Sequence, residues 1–267
     1  MNTLVRTLRT MRHSAASGFA DFARMFTWRT WTTAWLGRVI TQVLFFALIG
    51  LLLGDADAVR FLLIGNAVMI AASESLMTVA STTWERRAGT LPLLVASPTS
   101  PLVVFIGRSV QWLPSGTSSA TVAFFVVAGV FGIDLPWPQA LLVPALIAVV
   151  AVSAYLFGSF LGALVLRAMD ARNLVSNIAI WSMMAICGVN VPTDFWPRGI
   201  QAVASFLPVT HGLQAVRDLL DGAGTTVVLQ GVGLELLVGA GWLVLALLSI
   251  QRLIDHGRRT GTIEYAS

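Results

Sequence analysis

Two carboxylates interrupt long apolar runs, Glu74 in ASESLM and Glu235 in GLELLVG. An ionisable side chain at membrane depth costs about 3 kcal/mol on insertion scales, so each needs a partner or a task. Either can line a polar route, bind a cationic group of a substrate, or pair with an arginine. A buried hydrogen-bonded role is the alternative for both. Asn66, Gln111 and Asn177, together with Gln42, place uncharged polar groups in the same kind of run. They suit a translocation path or helix-to-helix hydrogen bonds equally. None of these residues belongs to a catalytic constellation. His13, His211 and His256 are too scattered for zinc-ligand spacing, so no catalytic residue and no metal is expected.

The basic residues narrow the chemistry further. All 17 are arginine, and lysine is absent. A P-loop ATPase reaches nucleotide phosphates with the lysine of GxxxxGK[ST], so this chain holds no such site. Cys187 is the single cysteine. It excludes an intramolecular disulfide and a cysteine-based metal cluster, and in its apolar run it reads as a small core-filling residue.

The elements that carry these residues follow from composition. Of 267 residues 56% are hydrophobic and only 11% charged, with a mean hydropathy of +0.80. Soluble domains carry about 25% charge, so this chain falls in the membrane class. A span needs about 20 apolar residues, and the apolar runs predict an all-α protein of six. They cover about Trp35–Leu53, Val59–Thr83, Leu102–Phe131, Gln139–Leu166, Asn173–Val191 and Val227–Ile250. Proline removes a helix hydrogen bond, so the third span is expected to bend near Pro114. Gly158 and Gly162 form a GxxxG in the fourth, which permits close helix packing.

Ahead of the first span, MNTLVRTLRTMRHSAASG carries arginines but no apolar core, so no cleavable signal is expected. In FADFARMFTWRTW the side chains Phe19, Phe22 and Phe26 recur at helical spacing, while Asp21, Arg24 and Arg29 project elsewhere. This predicts an amphipathic helix lying in the headgroup plane, with a soluble helix face as the alternative. Three domains result: 1–34 with that helix, a six-span membrane region over 35–251, and a basic tail over 252–267.

Arginine bias sets orientation. Arginines at 6, 9, 12, 24, 29 and 38 precede or open the first span, Arg86, Arg87 and Arg108 flank the second connection, Arg167 and Arg172 the fourth, and Arg252, Arg258 and Arg259 follow the last. The alternate loops hold most of the aspartates. The positive-inside rule then puts both termini in the cytoplasm. It also accounts for the pI near 10.5 without nucleic acid. Between the fifth and last spans, VPTDFWPRGIQAVASFLPVTHGLQAVRDLLDGAG is too polar to cross and too apolar for a free loop. Trp196, Ile200, Val203 and Phe206 share one face, and Leu213, Val216 and Leu220 another. Two short helices dipping back into the outer leaflet satisfy that pattern; a hairpin resting on the outer surface is the alternative.

One charged stretch remains, WERRAGTLPLLVASPTSP from Trp84 to Pro101. It falls in the arginine-rich connection between the second and third spans. Thr90 can cap a two-turn helix with Pro92 in its first turn. Leu91, Leu94 and Val95 then share a face able to dock in a partner's groove. A solvated loop whose arginines only set topology is the alternative.

With Gly107-Arg108 following, this stretch resembles the E-R-x-x-G-T-L-x-x-L-L-x-(A/S)-P signature of type 2 ATP-binding-cassette exporter permeases. The N-terminal amphipathic helix resembles that family's elbow helix, and LPVTHGLQAVRDLL its segment before the last span. The resemblance implies a half-transporter in a bacterial cytoplasmic membrane. It would pair with a second permease, identical or homologous, and sit on separate cytoplasmic ATPase subunits that bind the ATP and magnesium. It further implies that 85–98 is a coupling helix. Glu85, Arg86 and Arg87 would make polar contacts at the junction, with Gly89 in the turn, Thr90 at the cap, Leu91 and Leu94 in the groove and Pro98 closing the run. Pro92 stands where that family commonly has an acidic residue. The second cytoplasmic connection, RAMDARN, would be the lesser contact. The implied cargo is amphipathic (an antibiotic, a modified peptide or a lipid-like molecule), with a glycan exporter as the nearer alternative. An ATP-independent channel or a membrane enzyme is the competing class, and a channel has no use for a cytoplasmic docking helix.

Overall fold

The computed structural model describes residues 3–81, 101–166 and 169–260. Every regular element among them is helical. Helix α1 covers Thr3–Met25. A capping box follows, in which the Thr27 hydroxyl accepts from Thr30 N at 3.2 Å, and it starts α2, Trp28–Leu52, which is π-helical over Trp31–Leu36. Gly54, at φ +71°, turns the chain, and Asp55 caps α3, Ala56–Ser81, by accepting from Asp57 N. Then come α4 (Pro101–Ser109), α5 (Trp112–Val130) and α6 (Gln139–Val165). They are followed by α7 (Arg172–Ile186), the short α8 (Arg198–Ser205) and α9 (Thr210–Leu220), and the long α10 (Thr225–Thr260).

Among the described residues, five helical stretches are long and apolar enough to cross a membrane: Trp28–Leu52, Ala56–Ser81, Val103–Val130, Gln139–Val165 and Thr225–Leu253. They coincide with five of the six expected runs. The remaining run, expected over Asn173–Val191, forms a helix of 15 residues. At 1.5 Å per residue that is roughly 22 Å, short of a hydrocarbon core of about 30 Å. The composition stays apolar through Val191, but the helix does not. Gly188 takes φ +83°, and the chain leaves the helix over Cys187–Val191. The third run breaks at Val110–Gln111. Pro114 explains the position, because a proline ring clashes with the carbonyl four residues earlier.

The centre of the molecule is α3. Its apolar window is 89% buried against 17% for α10, and α2, α5 and α6 all pack on it. Such packing in lipid relies on close backbone approach through small residues. A Cβ on Gly65 would lie 2.2 Å from the Val189 carbonyl oxygen, and one on Gly158 would lie 3.3 Å from Leu76 Cδ2. The Gly158 position of the GxxxG therefore serves α6 against α3 inside one chain. Helix α1 packs on α4, where Gly18 meets the Arg108 carbonyl and Asp21 pairs with Arg108 at 2.6 Å. The expected pair of short helices is present as α8 and α9. The face of α9 carrying Leu213, Val216 and Leu220 is buried, whereas Val203 of α8 and Phe206, which follows it, are exposed.

The Gly65 contact gives a direct test. Gly65→Ala drives a methyl into backbone, which costs about 1–3 kcal/mol by overpacking, and is expected to lower the melting temperature of the detergent-solubilised chain by several degrees. Gly37→Ala, where a Cβ meets nothing within 4 Å, should leave it unchanged.

Candidate functional site

The residues expected to dock a partner (Glu85, Arg86, Arg87, Gly89, Thr90, Leu91, Leu94 and Pro98) lie outside the described residues. The membrane-embedded polar residues are described, and they divide into three sets of partners.

Glu74 is 1% exposed on α3. Its Oε1 accepts from Trp35 Nε1 at 2.8 Å and its Oε2 from Ser115 Oγ at 2.8 Å. Both carboxylate oxygens are thus held, one by α2 and one by α5. The Arg38 guanidinium lies 4.7 Å over the Trp35 ring, which places a cation near the carboxylate through an aromatic face. Trp35 also packs on Phe26 and Trp112, and Trp112 on Phe22. Trp112 Nε1 donates to Ser81 Oγ at 3.0 Å. Two of the three phenylalanines of the amphipathic stripe therefore meet tryptophans of α2 and α5, while Phe19 is exposed.

Asn66, one face of α3 further on, is fully buried. Its Nδ2 donates to Asn190 Oδ1 and to Leu62 O, both at 2.9 Å, and its Oδ1 has no partner among the described residues. Arg217 of α9 reaches the same loop. It donates to Gly188 O at 2.8 Å and to Phe61 O at 3.3 Å, with its guanidinium 3.7 Å over the Phe61 ring. The loop after α7 is thereby fixed to α3 and α9 together.

Glu235 of α10 is 0% exposed. Its Oε1 accepts from Val209 N and its Oε2 from Gly212 N, each at 2.9 Å. Val209 precedes α9 and Gly212 is in its first turn, so a carboxylate from another helix caps α9. A helix start leaves backbone N–H groups unsatisfied and carries partial positive charge, and Glu235 answers both. The first side chains of α9 in turn serve α8: Thr210 Oγ1 donates to Ala204 O at 2.6 Å, and the His211 ring lies 3.0 Å from Ser205 O.

The remaining candidates separate by exposure. Gln111 is buried at the α4–α5 break, Gln42 is half-buried, and Asn177 is exposed on α7. Glu74, Asn66 and Glu235 keep distinct partner sets rather than converging on one pocket. An open cleft of about 850 Å³ lies apart from all three, with Phe131, Ile133 and Leu135 in its walls and Asp55, Asp57 and Asp134 beside them. Arg60 also borders it, held by Asp221 at 2.8 Å and by Leu220 O. Sequence reading missed Trp35, Ser115, Asn190, Arg217 and the Val209–Gly212 turn. For Trp35 and Arg217 a signal existed, since an indole N–H and a guanidinium next to apolar runs each need an acceptor.

Removal of the Glu74 carboxylate orphans two donors. Glu74→Ala is expected to lower unfolding free energy in detergent by about 1–3 kcal/mol for each buried group left unpaired. Glu74→Gln retains one acceptor and should lose distinctly less. Equal losses for the two variants would contradict the hydrogen-bonded role.

No curated protein matches the chain. Residues 20–220, which run from α1 through α9 and include the Trp84–Pro101 stretch, match a family described as the ABC-2 type transporter. That match covers most of a chain whose described elements are all helical, several of them of membrane length, and the chain belongs to the ABC-2 type transporter family.

Proposed function

We propose that this chain is the membrane-spanning permease subunit of an ATP-driven exporter, moving an amphipathic substrate outward by alternating access. The observation that carries it is the family match over 20–220 enclosing a charged, leucine-bearing stretch in a chain with no lysine. Lacking a Walker lysine, the chain takes its energy from a partner. Glu85, Arg86 and Arg87 supply polar contacts to that partner, and Leu91 and Leu94 the apolar ones. In this reading α1 is the elbow helix, α7 serves as a short fifth span, and α8–α9 form the re-entrant pair. Both termini are cytoplasmic.

A second permease accounts for α7. Asn177 is exposed beside Leu174, Ile178 and Trp181 on a helix of the membrane region, and an amide facing lipid is costly. A second copy, or the path between copies, gives it polar surroundings. Apolar walls beside carboxylates in the cleft suit a cargo with both a greasy body and a cationic group. A polar glycan has less use for such walls.

The test is coupling. The chain is expected to co-purify with a separate ATPase. Glu85→Ala, or Leu91→Ala with Leu94→Ala, should cut transport about tenfold or more, equivalent to about 1.4 kcal/mol of lost coupling, while ATP hydrolysis persists. Transport by the purified chain in liposomes with no ATPase present would overturn the reading.

A further inference from the structure

Val209 is the one described non-glycine residue with positive φ, at +87° and ψ −41°. A β-branched side chain there is a true outlier, kept only where the surroundings over-determine it. The surroundings are specific. Val209 is fully buried, and its N–H is delivered to Glu235 Oε1. Gly212 delivers the second N–H, and a Cβ there would lie 2.3 Å from Val150 Cγ2 and 3.1 Å from Glu235 Cγ. A strained turn, a buried carboxylate and a tight glycine approach thus meet at one point between α9 and α10.

We propose that Glu235 and the Val209–Gly212 turn form a releasable latch. Glu235 acts as a positioning residue that seats the start of α9 against the last helix, and not as a substrate ligand. Both its oxygens are engaged and none of its surface is open, which leaves no place for a cargo group. The strain at Val209 opposes the two hydrogen bonds to Glu235, and such an opposition makes a two-state element. In the closed state α9 and α10 move as one body. In the open state the first turn of α9 leaves α10, and the α8 contacts made by Thr210 and His211 go with it.

The chain contains its own reporter. Cys187, the single cysteine, is 1% exposed and meets the Thr210 side chain at the latch. Opening the latch uncovers this thiol. The experiment is the rate of N-ethylmaleimide labelling of Cys187 in the full chain in lipid nanodiscs, read by intact mass, with the thermal transition recorded for each variant. It needs no ATPase, so it fails or succeeds independently of the exporter reading. Glu235→Ala removes both acceptors, and Gly212→Ala pries the turn off Glu235 while leaving the carboxylate. Each is expected to label about tenfold faster or more with its thermal transition retained, the response expected when about 1.4 kcal/mol of closing free energy is lost. Val209→Gly relieves the strain and keeps the N–H, so it should label more slowly than the parent chain. If Glu235→Ala loses its transition, Glu235→Gln, which retains one acceptor, and Val209→Gly decide. Labelling within about twofold of the parent in the Glu235 and Gly212 variants, or faster labelling in Val209→Gly, overturns the latch.

Discussion

Backbone that leaves a helix where water is excluded must find its hydrogen-bond partners within the chain itself. The helix breaks of this protein follow that constraint. After α7 the Gly188 carbonyl is met by Arg217, and the Asn190 side chain by Asn66. At the start of α9 the Val209 and Gly212 N–H groups are met by Glu235. At the turn between α8 and α9 the Ala204 and Ser205 carbonyls are met by Thr210 and His211. Side chains that looked like candidates for cargo are spent on irregular backbone, and the short helices exist at this position because those side chains are there.

The same constraint separates the two buried carboxylates. Glu74 faces side-chain donors from two neighbouring helices, so it fastens α2 and α5 to α3. Glu235 faces backbone donors at a helix start, where the dipole adds to the hydrogen bonds. One fixes helices that run side by side, and the other fixes the end of one helix to the flank of another. Loss of the Glu74 acceptor leaves a hydroxyl and an indole N–H that can rotate toward other acceptors. Loss of a backbone cap leaves N–H groups that cannot turn without unwinding the first turn, so the second arrangement controls a conformation.

Much of this was legible in the residues, for identifiable reasons. Long apolar runs gave five helices because length and composition alone decide a span. Pro114 located the α4–α5 break through its effect on the residue four positions earlier. Prolines 192, 197 and 208 cut the segment before the last helix into α8 and α9. The end of α7 was not legible, since Gly188-Val-Asn-Val is as apolar as a helix and its departure depends on Arg217 and Asn66, distant in sequence. Nor was the division of labour among Glu74, Asn66 and Glu235, because a buried carboxylate reads alike whether its partner is an indole, a backbone N–H or a cargo. Asn177 differs from them only in exposure, which sequence does not carry.

The Glu74 region also shows how α4, which follows the Trp84–Pro101 stretch in the chain, is tied into the fold. Helix α4 begins at the end of that stretch and is bound along its length to α1, through Ser14 at Gly107, Gly18 at the Arg108 carbonyl, and the Asp21–Arg108 pair. Both partners of that ion pair are partly exposed, at 30% and 32%, which limits it to about 1 kcal/mol, so steric fit dominates. Beyond Arg108 the helix breaks at Val110–Gln111, and α5 starts with Trp112, packed on Phe22 of α1 and on Trp35 of α2. Helix α4 is therefore packed as a pair with α1 and separated from α5 by the break. From α1 aromatic contacts lead to Trp35, which donates to the Glu74 carboxylate of the central helix. The break imposed by Pro114 is what lets α4 turn to pack on α1 while α5 stays packed on α3.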